Sequence, residues 1–125
     1  MKEIIAIIRI EKINQTKKAL LDIDIPGFTA LKAIGRGKLV TDEKLLEKRK
    51  LSIVTPETNN SDSDVSLNEF VVGAKAFPCR VVVVLVADED VDKVVQAIIK
   101  VNRTQYGIGD GKIFVMPLED AVRVR

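Results

Sequence analysis

Two short, densely apolar runs constrain the fold of this chain more than any other feature. Residues 4–10 contain five isoleucines, and residues 81–86 contain five valines and a leucine. β-Branched residues at this density favour strands that are buried on both faces. Apolar residues at helical spacing follow each run, which predicts amphipathic helices over residues 13–23 and 91–99. The acidic run at residues 88–90 is expected to cap the second helix.

Two further strands are predicted at residues 28–34 and 112–116, which gives the order β-α-β-β-α-β. This order consists of two β-α-β units, which together form an α+β, ferredoxin-like sandwich with four strands and both helices on one face. A length of 125 residues indicates one domain, residues 1–125. The strands are apolar on both sides, so the face without helices is expected to be buried by other subunits.

Residues 37–76 lack clear apolar periodicity and are interpreted as one long loop between the second and third strands. Loops of this length in compact domains are usually functional, disordered or both. The loop also offers an alternative explanation for the apolar strands, because it could itself fold over the open side of the sheet.

Composition excludes several classes of function. The chain has no histidine, which removes His-based catalysis, and its single cysteine excludes an internal disulfide and a multi-cysteine zinc site. A net charge of +2 and an aromatic content of 4% argue against nucleic-acid binding. No apolar run approaches the roughly 20 residues of a spanning helix, and no signal peptide is visible. We therefore expect a cytoplasmic protein without membrane insertion.

A glycine-rich turn is the most specific local motif. Gly107, Gly109 and Gly111 stand at alternate positions, and Lys112 follows directly. Alternate glycines let backbone N–H groups approach an anion, and a lysine adds a positive charge for phosphate. The spacing is not that of a P-loop, and a strand follows instead of a helix. Taken alone, such a turn is more often structural.

Two pairs of basic residues add to this motif. Arg36 and Lys38 stand where the long loop begins, and Arg123 and Arg125 stand near the end of the sequence. With Lys112 they supply five cations and no catalytic base, which favours a site that holds a polyphosphate without cleaving it. Considered separately, each pair is better explained as solvated surface charge.

Together these motifs resemble the PII signal-transduction proteins. The resemblance rests on the opening MKEIIAIIR, on GRGK at residues 35–38, on GDGKIFV at residues 109–115 and on RVR at residues 123–125. It implies a homotrimer of ferredoxin-like subunits that binds ATP and ADP competitively in clefts between subunits. It also implies that the loop after the second strand reports the ligand state to a target protein.

Within that family, the enlarged loop and the opening residues look most like the archaeal nitrogenase-associated branch. The members of this branch regulate nitrogenase according to nitrogen status, often as a complex of two paralogues. The resemblance therefore implies a homotrimer or a mixed complex.

The resemblance also implies the nucleotide-binding residues. Gly109, Gly111 and Lys112 match the phosphate-binding loop, and Arg36 matches an arginine at the base of the long loop. Two terminal arginines match those that reach phosphates from the C-terminal segment. The full predicted set is Thr29, Gly35, Arg36, Gly109, Asp110, Gly111, Lys112, Arg123 and Arg125. Tyr106, beside the phosphate loop, is expected either to close over a nucleotide or to pack.

Two positions depart from the family pattern. Gly37 or Leu39 stands where a glutamine usually helps to coordinate Mg²⁺ and 2-oxoglutarate, and Cys79 stands where a lysine usually pairs with 2-oxoglutarate. Arg80 follows, but a shift of one residue in a strand turns a side chain to the other face. ATP and ADP are therefore the expected ligands, and binding of Mg²⁺ and 2-oxoglutarate stays open.

We predict a non-enzymatic nitrogen-status regulator that contacts a target protein, such as nitrogenase, through residues 37–76. One alternative is a PII-like regulator of another target, such as an ammonium channel or a metabolic enzyme, without 2-oxoglutarate sensing. A slow nucleotidase that uses carboxylates of the long loop is a second alternative, although catalysis needs pre-organised groups. Nucleic-acid binding is the weakest, since the strands carry Val and Ile where stacking needs aromatic residues.

Overall fold

The computed structural model describes residues 1–36, 77–105, 107 and 109–125. The predicted long loop at residues 37–76 lies outside the described residues, and so do its members Lys38 and Leu39. Tyr106 lies outside them as well.

Four strands and two helices make up the described part of the chain. Strand β1 spans Lys2–Arg9, helix α1 spans Ile13–Asp22, β2 spans Thr29–Gly35, β3 spans Phe77–Val86, helix α2 spans Val91–Asn102 and β4 spans Gly111–Pro117. A short 3₁₀ turn precedes each helix. Neither described helix is long and apolar enough to cross a membrane. The observed order confirms the prediction of two β-α-β units.

The four strands form one antiparallel sheet in the order β2-β3-β1-β4. Strands β1 and β3 are central, and β2 and β4 are the two edges. Ile7 of β1 pairs with Val81 of β3 and with Lys112 of β4, and Val81 also pairs with Leu31 of β2. Each β-α-β unit thus leaves room for a strand of the other unit, which is the ferredoxin-like topology that the sequence predicts.

Alternate residues of the two central strands face the helices and form the core. These residues are Ile4, Ala6 and Ile8 of β1 and Val82, Val84 and Val86 of β3, packed with Leu20 of α1 and with Val94 and Ile98 of α2. Burial of one such aliphatic side chain contributes about 1.5–3 kcal/mol. Packing against the sheet therefore stabilises α2, whose β-branched residues have low intrinsic helix propensity.

The opposite face of the sheet, which we call the open face, is also apolar. By register it carries Leu31, Leu85, Phe114 and Met116, and the structure leaves all four substantially exposed. The described helices lie on the other side of the sheet. An exposed apolar surface of this kind is typical of a protein interface, which supports the expectation that further subunits bury it.

Strand β3 begins at Phe77, four residues before the apolar run at residues 81–86 that predicts it. Phe77 and Pro78 already pair with Gly35 and Ile34 of β2. Pro78 lies beyond the last pair between β1 and β3, so β3 is an edge strand on that side at this point. Proline is tolerated at strand edges, which explains why it does not end the strand here.

The prediction that the acidic run caps α2 was wrong. Asp88–Asp90 forms the 3₁₀ turn, and Asp90 makes no side-chain capping hydrogen bond because its backbone angles are helical, whereas capping residues are extended. Instead, Asp88 Oδ1 lies 2.9 Å from the amino group of Met1. Hydrogen bonding to that amino group, together with its positive charge, lowers the pKa of Asp88.

Candidate functional site

The glycine-rich turn leads from α2 into the edge strand β4. Gly107, Gly109 and Gly111 have φ angles of 74°, 71° and 126°, which glycine adopts without steric cost. A Cβ atom on Gly111 would collide with the backbone oxygen of Ile7 in the neighbouring strand. Glycine at position 111 is therefore required by the close approach of β4 to β1.

Three side chains hold this turn against the end of β1. Arg9 is only 4% exposed, and its Nε donates a hydrogen bond of 2.7 Å to the carbonyl oxygen of Gly109. Its Nη2 lies 3.4 Å from Asp110 Oδ1. The backbone N–H of Thr104 donates to Asp110 Oδ2 at 3.0 Å, and the Thr104 hydroxyl donates to Oδ1. We call Arg9, Thr104 and Asp110 the loop clamp.

Arg9 and Thr104 are not among the residues that the sequence motifs predict for the site. Arg9 is separated from Gly109 by 100 residues, and no local spacing connects the two. One feature of the sequence could have indicated that Arg9 has a partner, because this charged residue comes directly after a run of isoleucines. A charge in that position needs a partner if the strand end is buried.

Lys112 lies on the open face at the β4 edge. It pairs with Ile7, which points away from the core residues Ala6 and Ile8 on either side, and its side chain is exposed. Thr29 lies on the same face because it pairs with Val83, but it belongs to β2 at the opposite edge. Three strand spacings separate the two edges, a distance of about 14 Å.

The other predicted residues belong to β2, to the residue that follows it and to the C-terminal segment. Gly35 ends β2, and the exposed Arg36 follows it. The chain after β4 turns back toward the start of β2, where Val122 lines a cavity of about 720 Å³ together with Thr29. The exposed Arg123 and Arg125 come immediately after Val122.

The structure therefore divides the predicted site residues into two groups. The β4 group comprises Gly109, Asp110, Gly111 and Lys112, and the β2 group comprises Thr29, Gly35 and Arg36, with Thr29 and Gly35 at opposite ends of the strand. Arg123 and Arg125 follow Val122, which lies beside Thr29, and both are exposed. The structure brings together the members of the first group. Within one protomer it places the second group across the width of the sheet from the first.

Of the two departures from the family pattern, Gly37 or Leu39 lies outside the described residues, and Cys79 lies within the sheet. Cys79 lies on the open face between Arg9 of β1 and Ala33 of β2, whereas Arg80 lies on the helix side, opposite Ile8 and Lys32. Position 79 therefore presents a thiol to the open face. Among the described residues, no three Cys, Asp or Glu side chains cluster in a way that could hold a metal ion.

A comparison with known protein families shows which family this chain belongs to. The family model for nitrogen regulatory protein P-II matches residues 1–125. The chain belongs to the P-II family. It is thus a nitrogen regulatory signalling protein, and the family predicted from the sequence motifs is confirmed.

Several relatives of this P-II protein carry names that refer to nitrogen fixation. It is 45% identical over 125 residues to "Nitrogen fixation nifHD region GlnB-like protein 2" of Methanobacterium ivanovii. The matched residues make up 100% of this chain and 92% of that relative. A protein of the same name in Methanococcus maripaludis is 40% identical over 126 residues, with coverage of 100% and 93%. "Nitrogen regulatory protein P-II 2" of Methanothermobacter thermautotrophicus is 37% identical over 125 residues, with coverage of 100% and 90%. These relatives fit the archaeal nitrogenase-associated branch.

Proposed function

We propose that this P-II protein is a non-enzymatic sensor that binds ATP and ADP competitively in the clefts between three protomers. One observation carries the proposal, namely that the β4 group and the β2 group lie at opposite edges of the sheet, with Lys112 and Thr29 both on the open face. A single protomer keeps these groups about 14 Å apart, the width of three strand spacings. A site that needs both groups is therefore built from two protomers.

The arrangement of a closed ring brings the two groups together. When protomers bury their open faces around a threefold axis, the contact is heterologous, so one edge of each sheet approaches the other edge of the next. Lys112 of one protomer then lies close to Arg123 and Arg125 of its neighbour. The apolar residues on the open face supply the driving force for this association.

The chemistry of the two groups fits a nucleoside polyphosphate. Lys112 supplies a compact positive charge, and the arginines form bidentate hydrogen bonds with phosphate oxygens. The backbone N–H groups of the glycine turn are donors that an anion can approach closely. ATP bears one more phosphate than ADP, so the two ligands make different contacts and favour different conformations of the protein.

The regulated partner is proposed to contact residues 37–76. Because relatives are named for a nitrogen fixation region, we propose that this partner is nitrogenase or a protein that controls it. The assembly is a homotrimer or includes a paralogue. Regulation of an ammonium channel or a metabolic enzyme is the second candidate, and it is favoured by Cys79, which supplies no cation for 2-oxoglutarate at the open face.

The substitution Lys112→Ala tests the nucleotide site. We expect it to weaken ATP binding at least about tenfold, because a charge-assisted hydrogen bond contributes about 1.5–3 kcal/mol. Adenosine binding should change much less, since it lacks phosphates. Isothermal titration of the full chain with ATP, ADP and adenosine measures all three affinities.

The matched control is Lys18→Ala, because Lys18 is an exposed lysine on α1 whose surface ion pair with Asp22 contributes little to stability. This variant should bind ATP like the wild type. Absence of binding by the wild type at millimolar ATP would refute the proposed function. Equal affinities of Lys112→Ala and Lys18→Ala would refute the site.

A further inference from the structure

The loop clamp places a carboxylate inside a turn that is proposed to bind phosphate. Asp110 stands between Gly109 and Gly111, where an uncompensated negative charge would repel an incoming anion. Arg9 lies beside this carboxylate and supplies the opposite charge, and Thr104 donates hydrogen bonds to both of its oxygens. The negative charge of Asp110 is thus compensated within the chain.

The clamp also fixes the direction of the turn's backbone. Arg9 Nε donates to the carbonyl oxygen of Gly109 at 2.7 Å, so this carbonyl points toward the end of β1. The described peptide bonds are all trans, and in a trans peptide the C=O and the following N–H point in opposite directions. The backbone N–H of Asp110 therefore points away from Arg9.

From these contacts, and resting on the proposed nucleotide site, we infer that Arg9 and Thr104 are positioning residues for phosphate recognition. Through Asp110 they orient the backbone N–H groups of the turn toward the phosphates, and they remove the electrostatic penalty of the carboxylate. The clamp thereby sets the preference for nucleotides that carry several phosphates over the bare nucleoside. Asp110 acts through the turn and does not itself contact phosphate.

The burial of Arg9 argues that the clamp does more than complete a turn. Arg9 is 4% exposed, and transfer of a cation out of water is costly unless it is paired and hydrogen-bonded. Buried ion pairs contribute little net stability compared with apolar residues of similar size. Defined geometry is the benefit that this arrangement offers, and defined geometry is what backbone recognition of an anion requires.

Two substitutions of Thr104 test the inference with matched shapes. Thr104→Val keeps the volume of the side chain and removes the hydroxyl, whereas Thr104→Ser keeps the hydroxyl. In the full-length protein, we expect Thr104→Val to weaken ATP binding about fivefold to tenfold, as for loss of one hydrogen bond of ordinary strength, with adenosine affinity nearly unchanged. Thr104→Ser should restore ATP affinity to within about twofold of the wild type. Isothermal titration of each variant with ATP and with adenosine gives the ratio of these two affinities.

Amide hydrogen exchange in the nucleotide-free protein provides an independent measurement. The backbone N–H of residue 104, which donates to Asp110 Oδ2 at 3.0 Å, should be less protected from exchange in Thr104→Val than in Thr104→Ser or in the wild type, because the turn is less firmly held. Arg9→Met should change both ATP affinity and amide exchange more than Thr104→Val does. The Thr104 pair keeps the test valid even if Arg9→Met fails to fold.

The possible failures are distinguishable. If the wild type binds ATP but Thr104→Val keeps the wild-type ratio of ATP to adenosine affinity, the inference is overturned and the proposed function stands. If Thr104→Val weakens the binding of ATP and adenosine by the same factor and also lowers thermal stability, the role of the clamp is merely structural. The inference is then again overturned. If the wild type binds no ATP, the proposed function fails. Amide exchange then decides whether the clamp holds the turn, and unchanged protection of the residue 104 amide in Thr104→Val would overturn the inference.

Discussion

Replacing Gly111 with alanine is expected to displace β4 from the sheet or to unfold the protein. Gly111 is the first residue of β4, its φ angle is 126°, and an added Cβ would collide with the backbone oxygen of Ile7. That oxygen belongs to the central strand β1, so it cannot move without disrupting the sheet. Backbone strain and collision together should lower the free energy of unfolding by about 3 kcal/mol or more. Denaturant titration of the full chain measures this change.

Gly107→Ala is the matched control for this prediction. Gly107 also has a positive φ angle, 74°, but no heavy atom of the neighbouring described residues lies within 4 Å of a Cβ at this position. Its substitution should lower the free energy of unfolding only through backbone strain, by about 1–2 kcal/mol. If both variants were equally stable, the close approach of β4 to β1 would not be the reason for glycine at position 111.

Leu31→Asp is expected to dissociate the proposed trimer into folded protomers. Leu31 lies on the open face and is 53% exposed in the single protomer, so the substitution removes little packing within the subunit. In the assembly, it would bury an unpaired carboxylate on every subunit. Because burial of an uncompensated charge is costly, we expect association to weaken at least about 100-fold. Native mass spectrometry and analytical ultracentrifugation measure the mass of the assembly.

Leu21→Asp is the control with matched exposure. Leu21 is 55% exposed but lies on α1, on the other side of the sheet. This variant should keep the mass of the wild-type assembly. A Leu31→Asp protein that still formed the wild-type assembly would show that the open face is not the interface. A dissociated Leu31→Asp protein with full ATP affinity would show that a single protomer suffices for binding.

The fold could be predicted from the sequence because its determinants are local. The isoleucines of β1 and the valines of β3 identify the two central strands, and the helical spacing that follows each run identifies α1 and α2. The apolar open face was predictable for the same reason, since both sides of these strands are apolar. The extension of β3 to Phe77 was not, because it depends on where the neighbouring strand ends.

The organisation of the site was only partly predictable. The motif from Gly109 to Lys112 is contiguous, so its residues had to lie together. The compensation of Asp110 by Arg9 depends on a contact between distant parts of the chain, and sequence spacing carries no information about it. The separation of Lys112 from Thr29 likewise depends on the order of strands in the sheet.

The proposed division of Lys112 and Arg123 between neighbouring protomers has a genetic consequence. In a ring of three, each cleft would take its lysine from one chain and its arginine from the next. Mixed rings formed by co-expressing a Lys112→Ala allele with an Arg123→Ala allele would then contain a cleft in which both contributions are intact. Two alleles that are each defective alone would complement one another when they share a cell.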